Sequence, residues 1–191
     1  TLLRYAPDSC MTLIDPKTHH IKITHLHETF RHPLVDLLVP FTDIEKRYGC
    51  RHIPASVHFD AEELQRCQQT KHLVVNDESL HFDYLLVASG CENRISDRAE
   101  NVLNLQDFAA SAGSELLMPL LESNHQSEQS ISVVGGGATG IQFLFEIKQF
   151  LSRKKSKATL RLIHSGEQVL EQFPRGFDTY VQSRMQELNI A

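Results

Sequence analysis

The clearest alternation of apolar and polar positions lies in the last third of the chain. Ile131, Val133 and Val134 make a short β-rich run, and Ile141, Leu144, Phe145, Ile147 and Leu151 follow at helical spacing. Residues 159–164 return to a strand pattern and residues 175–188 to a helical one. The order predicts a βαβ unit, with strands at 131–134 and 159–164, a helix over 138–152 between them and a further helix behind.

Earlier in the chain the patterns are shorter. Residues 11–15, Met-Thr-Leu-Ile-Asp, read as a strand that ends in a carboxylate, and Pro16 and Lys17 turn the chain after it. The residues before it, 2–6, read as the tail of a helix broken at Pro7. Prolines at 33 and 40 bound the apolar run 34–39 too tightly for a helix, whereas residues 43–48 read as a short helical piece. Strand-like stretches at 53–59, 62–67 and 71–76, with a turn at 76–79, predict a small antiparallel meander. Residues 83–87 read as a buried strand running into Ala88, Ser89 and Gly90. A crossing segment at 91–106 leads to one helix over 107–121, and 123–130 is a polar linker.

Composition narrows the function classes. A chain of 191 residues has room for one or two domains, and 41% hydrophobic with 23% charged residues is the balance of a soluble globular protein. The formal charge of −5 gives no support to a nucleic-acid surface. The basic residues between 153 and 157 read as the solvated end of a helix, where the dipole favours them. No run of 18 apolar residues crosses a bilayer, and the first residues lack the pattern of a secretory signal. The four cysteines are scattered without a Cys-x-x-Cys pair, which argues against a redox dithiol and a zinc site and suits a reducing compartment. Eleven histidines are present, with His25 and His27 on one strand face, but no cysteine or tight carboxylate cluster accompanies them and no metal site is assigned.

Gly135-x-Gly137-x-x-Gly140 stands between the predicted strand and helix, the context in which this spacing holds a dinucleotide. Gly135 permits the turn, Gly137 lets backbone approach a pyrophosphate, and Gly140 lets the helix pack close to the strand. The helix beginning near Ala138 and Thr139 points free N–H groups at the phosphates. The alternative is a glycine turn that serves packing alone. At the tip of the next strand stand His164 and Ser165, without an Asp or Glu. The two either face an adenosine ribose or end the strand in solvent, and the missing acid removes the main argument for NAD over NADP.

The run 11–15, residues 82–90 and the stretch 131–140 with Glu146, in this order and spacing, resemble the pyridine nucleotide-disulfide oxidoreductase superfamily. Within it the chain is most similar to the branch of type II NADH dehydrogenases, which lacks a redox disulfide. The resemblance implies an α/β, Rossmann-like FAD/NAD(P)-binding fold, incomplete at both ends, with a partial FAD-binding domain over 1–106 and a partial NAD(P)H-binding domain over 107–191. It implies hydride transfer from NAD(P)H to FAD and onward to a quinone or other acceptor.

Carried onto this sequence, Asp15 is the acid that holds the FAD ribose, and Ala88, Ser89 and Gly90 run beside FAD, with serine where threonine is usual. Gly135, Gly137 and Gly140, with Ala138 and Thr139, are the NAD(P)H pyrophosphate loop. Gln142 stands where many relatives carry a glutamate near the nicotinamide, and its amide can bond the carboxamide. Glu146 fits the family pattern or is structural. The N-terminal glycine loop for FAD is missing from the sequence, and Phe145 replaces a small residue. Nothing in the spacing selects a catalytic acid or base, and the chain by itself is expected to be inactive. A cytoplasmic location or one at a membrane surface is expected, with dimer or membrane contacts made through segments outside this chain. Two other readings stay open: a reductase of ferredoxin or another soluble acceptor, and a nucleotide-binding sensor or scaffold without flavin chemistry.

Overall fold

Parallel strand pairing at two places organises the chain. The computed structural model describes residues 8–90, 101–122 and 129–191. They divide into two units, one of residues 8–21 and 38–90, the other of Lys22–Leu37 with 101–122 and 129–191. The sequence expectations for residues 2–6, for 91–100 and for 123–128 lie outside the described residues. The fold is α/β and Rossmann-like, built from small parallel and antiparallel sheets.

In the first unit, β1 (Thr12–Ile14) pairs parallel to β4 (Arg51–Ile53), and β2 (His19–Ile21) pairs antiparallel to β3 (Leu38–Pro40). Helix α1 (Phe41–Tyr48) ends at Gly49, whose left-handed φ of 64° closes the last turn onto the Glu45 carbonyl. The Glu45 carboxylate accepts the His52 N–H at 2.7 Å, and Phe41 stacks on the His52 ring, so both ends of α1 are fixed to β4. Strand β5 (His72–Val75) and β6 (Glu78–His81) form a hairpin through Asn76 and Asp77, both at positive φ as a two-residue turn requires.

Residues 62–67 are helical, against the strand expectation. They lie in α2 (Ala61–Thr70), where the Asp60 carboxylate caps the helix by accepting the Glu63 N–H at 2.7 Å. Glu62 and Glu63 in the first turn suit the positive end of the dipole, and the fully buried Cys67 faces inward. The antiparallel structure is therefore the β5–β6 hairpin and the β2–β3 pair. Ile53, Ala55, Cys67, Leu73 and Val75 form the buried core, with Ile14, Phe59 and Leu80 packed on it.

Residues 83–90 also depart from expectation, because they form no strand and are exposed: Tyr84 by 95% and Leu86 by 87%. A strand needs a neighbour for its N–H and C=O groups, and no strand pairs with this run among the described residues.

In the second unit the helix expected over 107–121 is two, α3 (Leu105–Ala110) and α4 (Gly113–Glu122). Asn104 and Asp107 form a reciprocal capping box at the start of α3. A 3-10 segment, Ile23–Phe30, packs on both and on α5 (Ala138–Arg153). Phe30 meets Phe150 at 5.6 Å, and Phe108 meets Phe143 at 4.7 Å. The buried Thr29 hydroxyl donates to the Leu26 carbonyl and accepts the Gly113 N–H, leaving no polar atom unmatched at this contact.

Strand β7 (Ser130–Val134) pairs parallel to β8 (Thr159–Ile163), and α5 supplies the crossover that a parallel pair requires. Leu144 and Leu160 fill the space between helix and sheet. Helix α6 (Arg175–Glu187) follows, and Ala191 returns to β8, donating to the Leu160 carbonyl and accepting the Leu162 N–H. These elements match the predicted βαβ unit within a residue or two. Among the described residues no helix is long and apolar enough to cross a membrane.

Candidate functional site

The C-terminal edge of the β7–β8 pair brings together most of the residues singled out in the sequence. Gly135 leaves β7 with φ +110°, a conformation that L side chains rarely adopt, and its N–H donates to the Ile163 carbonyl at 2.8 Å. At Gly140 a Cβ would lie 1.9 Å from the Gly135 carbonyl oxygen, so this glycine sets how closely α5 approaches the turn. Gly137 differs from both. It is the N-cap of α5 with an ordinary φ of −76°, and a Cβ there would meet nothing within 4 Å. Neither backbone strain nor packing within the unit calls for glycine at 137, and the space its side chain would fill lies open at the helix end.

No side chain caps α5, whose first-turn N–H groups have no partner within the helix. Thr139 and Gln142 are exposed on the first turn, and Ala138 is half-buried. An open glycine, bare N–H groups and the positive end of a 16-residue helix are together the features that suit a pyrophosphate.

His164, at the end of β8, is half-buried and engaged at both ring nitrogens. Its Nδ1 accepts the Gly136 N–H at 3.2 Å, and its Nε2–H donates to the Gln168 carbonyl at 2.9 Å. The ring thus joins the glycine turn to the turn that follows β8. A second link is the Leu170 N–H, which donates to the Gly136 carbonyl at 2.8 Å. Ser165 is exposed at the strand tip. Glu171 lies beyond that tip, outside the residues that the sequence motif marks. The chain folds back through residues 165–170, and the Glu171 carboxylate comes within 3.8 Å of His164 Nε2. Its only trace in the sequence is the small, turn-forming pair Ser165 and Gly166.

Glu146 is buried and paired with Arg31 at 2.9 Å, which ties α5 to the 3-10 segment. Beside this contact His27 lies edge-on to Phe143, and burial pushes its pKa below the ordinary histidine value.

The remaining candidates belong to the first unit. Asp15 follows β1 at the end of the parallel β1–β4 pair, and its Oδ1 accepts the Lys17 N–H at 2.8 Å. Its carbonyl accepts the His52 Nε2–H at 3.0 Å. Ala88, Ser89 and Gly90 are exposed, with Gly90 at φ +76°.

Residues 41–191 match the pyridine nucleotide-disulphide oxidoreductase family. The chain belongs to that family. No curated protein matches the sequence. Among solved structures, NDH2 from Plasmodium falciparum is similar over 96% of this chain and 42% of its own, with a TM-score of 0.72 at 18% identity. The sulfide:quinone oxidoreductase of Aquifex aeolicus is similar over 99% of this chain and 46% of its own, at 0.67 and 15%. A ferredoxin reductase from Rhodopseudomonas palustris is similar over 98% and 45%, at 0.68 and 16%. At these identities the likeness is one of fold, and this oxidoreductase-family chain spans less than half the length of each of the three.

Proposed function

We propose that the chain is the nucleotide-binding part of an FAD-dependent NAD(P)H oxidoreductase of the type II NADH dehydrogenase kind. The observation that carries this reading is Gly137, a glycine that neither backbone nor packing requires, set at the uncapped start of a long helix. A dinucleotide pyrophosphate is the ligand that calls for bare backbone at that point.

Gly135, Gly137, Ala138, Thr139 and Gly140 hold the NAD(P)H pyrophosphate. Gln142 offers its amide to the nicotinamide carboxamide. His164 and Ser165 stand on the adenosine side, His164 chiefly by bracing the glycine turn. In the FAD-binding part, residues 1–106, Asp15 accepts hydrogen bonds from the flavin nucleotide's ribose, and Ala88, Ser89 and Gly90 run beside it. Residues 107–191 are the NAD(P)H-binding part. When both are bound, the nicotinamide supplies a hydride and the flavin takes it up, with a quinone as the final acceptor. The protein's part in hydride transfer is positioning, and no side chain is assigned as acid or base. A soluble acceptor such as a ferredoxin is the second reading, favoured by the likeness in fold to a ferredoxin reductase.

The test is a visible absorption spectrum of the full-length protein that carries this chain, followed by anaerobic titration with NADH and NADPH. Flavin bands bleached by either nucleotide are the expected result. Flavin that neither nucleotide reduces would overturn the reading, and a colourless protein that binds nucleotide would make it a sensor or scaffold. Reduced enzyme mixed with a quinone or a ferredoxin then separates the two acceptors.

A further inference from the structure

We infer that Glu171 recognises the adenosine ribose of the nicotinamide nucleotide, supplying from the following turn the acid that the tip of β8 lacks, and that it selects NADH over NADPH. The inference rests on the reading of the glycine loop as a dinucleotide site.

The strand tip is poorly equipped for this task. Both ring nitrogens of His164 are engaged within the chain, and Ser165 carries no charge. The Glu171 carboxylate, by contrast, is seated against the tip. A Cβ on Gly166 would lie 2.1 Å from Glu171 Oε1 and 2.9 Å from His164 Nε2, so the absence of a side chain at 166 makes room for the carboxylate. The φ of Gly166 lies outside the left-handed range, so backbone strain does not call for glycine there, and a side chain at 166 would displace the movable end of Glu171.

The turn that carries Glu171 is pinned on two sides. The Leu170 N–H donates to the Gly136 carbonyl at 2.8 Å, and the Val169 N–H donates to Asp178 Oδ1 at 3.0 Å. The backbone that carries Glu171 is thus tied to the glycine loop, and its carboxylate stays within reach of the strand tip. It is not consumed by pairing either: His164 gives its Nε2 proton to the Gln168 carbonyl, lies 3.8 Å from the carboxylate, and leaves the Glu171 side chain 62% exposed. An available carboxylate at the end of the second strand accepts hydrogen bonds from a ribose diol and repels a 2′-phosphate.

Direct binding titrations of NADH and of NADPH to the full-length protein test this, using Glu171→Gln, Gly166→Ala and Glu167→Gln, with a melting curve for each. Wild type is expected to bind NADH more tightly. Glu171→Gln should lower that preference about tenfold. Gly166→Ala keeps the charge but displaces the flexible carboxylate end, and should move the ratio in the same direction by less. Glu167→Gln, which removes another exposed acid of the same turn, should leave the ratio within about twofold. An unchanged ratio in Glu171→Gln, with wild-type binding intact, would overturn the assignment of Glu171 and leave the dinucleotide site standing. Equal shifts in Glu171→Gln and Glu167→Gln would reduce it to a general charge effect. A wild-type protein that binds neither nucleotide would overturn the site as well.

Discussion

Two runs in this chain carry the same signal, an apolar stretch passing into small residues and a glycine at positive φ, and they fold differently. Residues 130–135 pair with β8 along five register positions, lie under α5 and are braced through Gly136 and His164. Residues 83–90 end in a similar left-handed glycine, yet no strand pairs with them among the described residues and their large side chains are exposed. A strand and a glycine fold into a paired strand and a packed turn where the neighbouring sequence supplies the partner strand and the covering helix. The β7–β8 run has both within 35 residues, as the pairing of Ser130 with Thr159 and of Val134 with Ile163 shows.

Truncation of apolar side chains should separate the two runs most widely. Leu160→Ala is expected to cost about 3 kcal/mol in chemical denaturation, because Leu160 is buried between β8 and α5. Leu86→Ala should stay within about 0.5 kcal/mol. Equal losses would mean that the 83–90 run is buried in the folded protein and that the contrast fails.

The glycines give a smaller difference. Gly140→Ala drives a Cβ into backbone, the Gly135 carbonyl, and should destabilise by about 2 kcal/mol. Gly90→Ala meets no atom within 4 Å and should cost only the left-handed backbone penalty, about 1 kcal/mol. Reversal of that order in melting experiments would show that the 88–90 turn, and not the 135–140 turn, is the tightly packed one.

The smallest expected effect is one of pH, and it belongs to the second unit. Burial beside Phe143 lowers the pKa of His27 in the folded state, so the unfolded chain binds the proton more readily. The stability linked to His27 is then complete above its unfolded pKa of about 6.5 and is lost as the pH falls below it. His27→Gln should flatten the decline of stability between neutral and mildly acidic pH, and a decline of unchanged slope would assign it to other groups.

The same contrast explains what could be read in advance. The βαβ unit is readable because every signal in it is local: apolar spacing along α5, alternation in β7 and β8, and the Gly135-x-Gly137-x-x-Gly140 spacing between them. Helix α2 carries a local signal too, Asp60 three residues before Glu63 and Leu64 three before Cys67, which the strand expectation for 62–67 leaves unused. Other features were beyond reach because their causes are distant in sequence. Thr29 and Arg31 find their partners at Gly113 and Glu146, and nothing near residues 23–31 announces that packing. The exposure of residues 83–87 depends on whether another strand pairs with them, which their own composition does not encode. Glu171 reaches the strand tip only because Leu170, at φ +55°, turns the chain back onto Gly136.

Gly137 decides the functional reading. The measurement is an equilibrium titration of NADH and NADPH into the full-length protein and its Gly137→Val variant, with melting curves alongside. Gly137 has an ordinary φ and open space around it, so valine should leave the fold intact while weakening nucleotide binding at least about tenfold. A folded Gly137→Val protein that binds both nucleotides as tightly as wild type would contradict the account, because the open space at the start of α5 would then have no ligand to explain it.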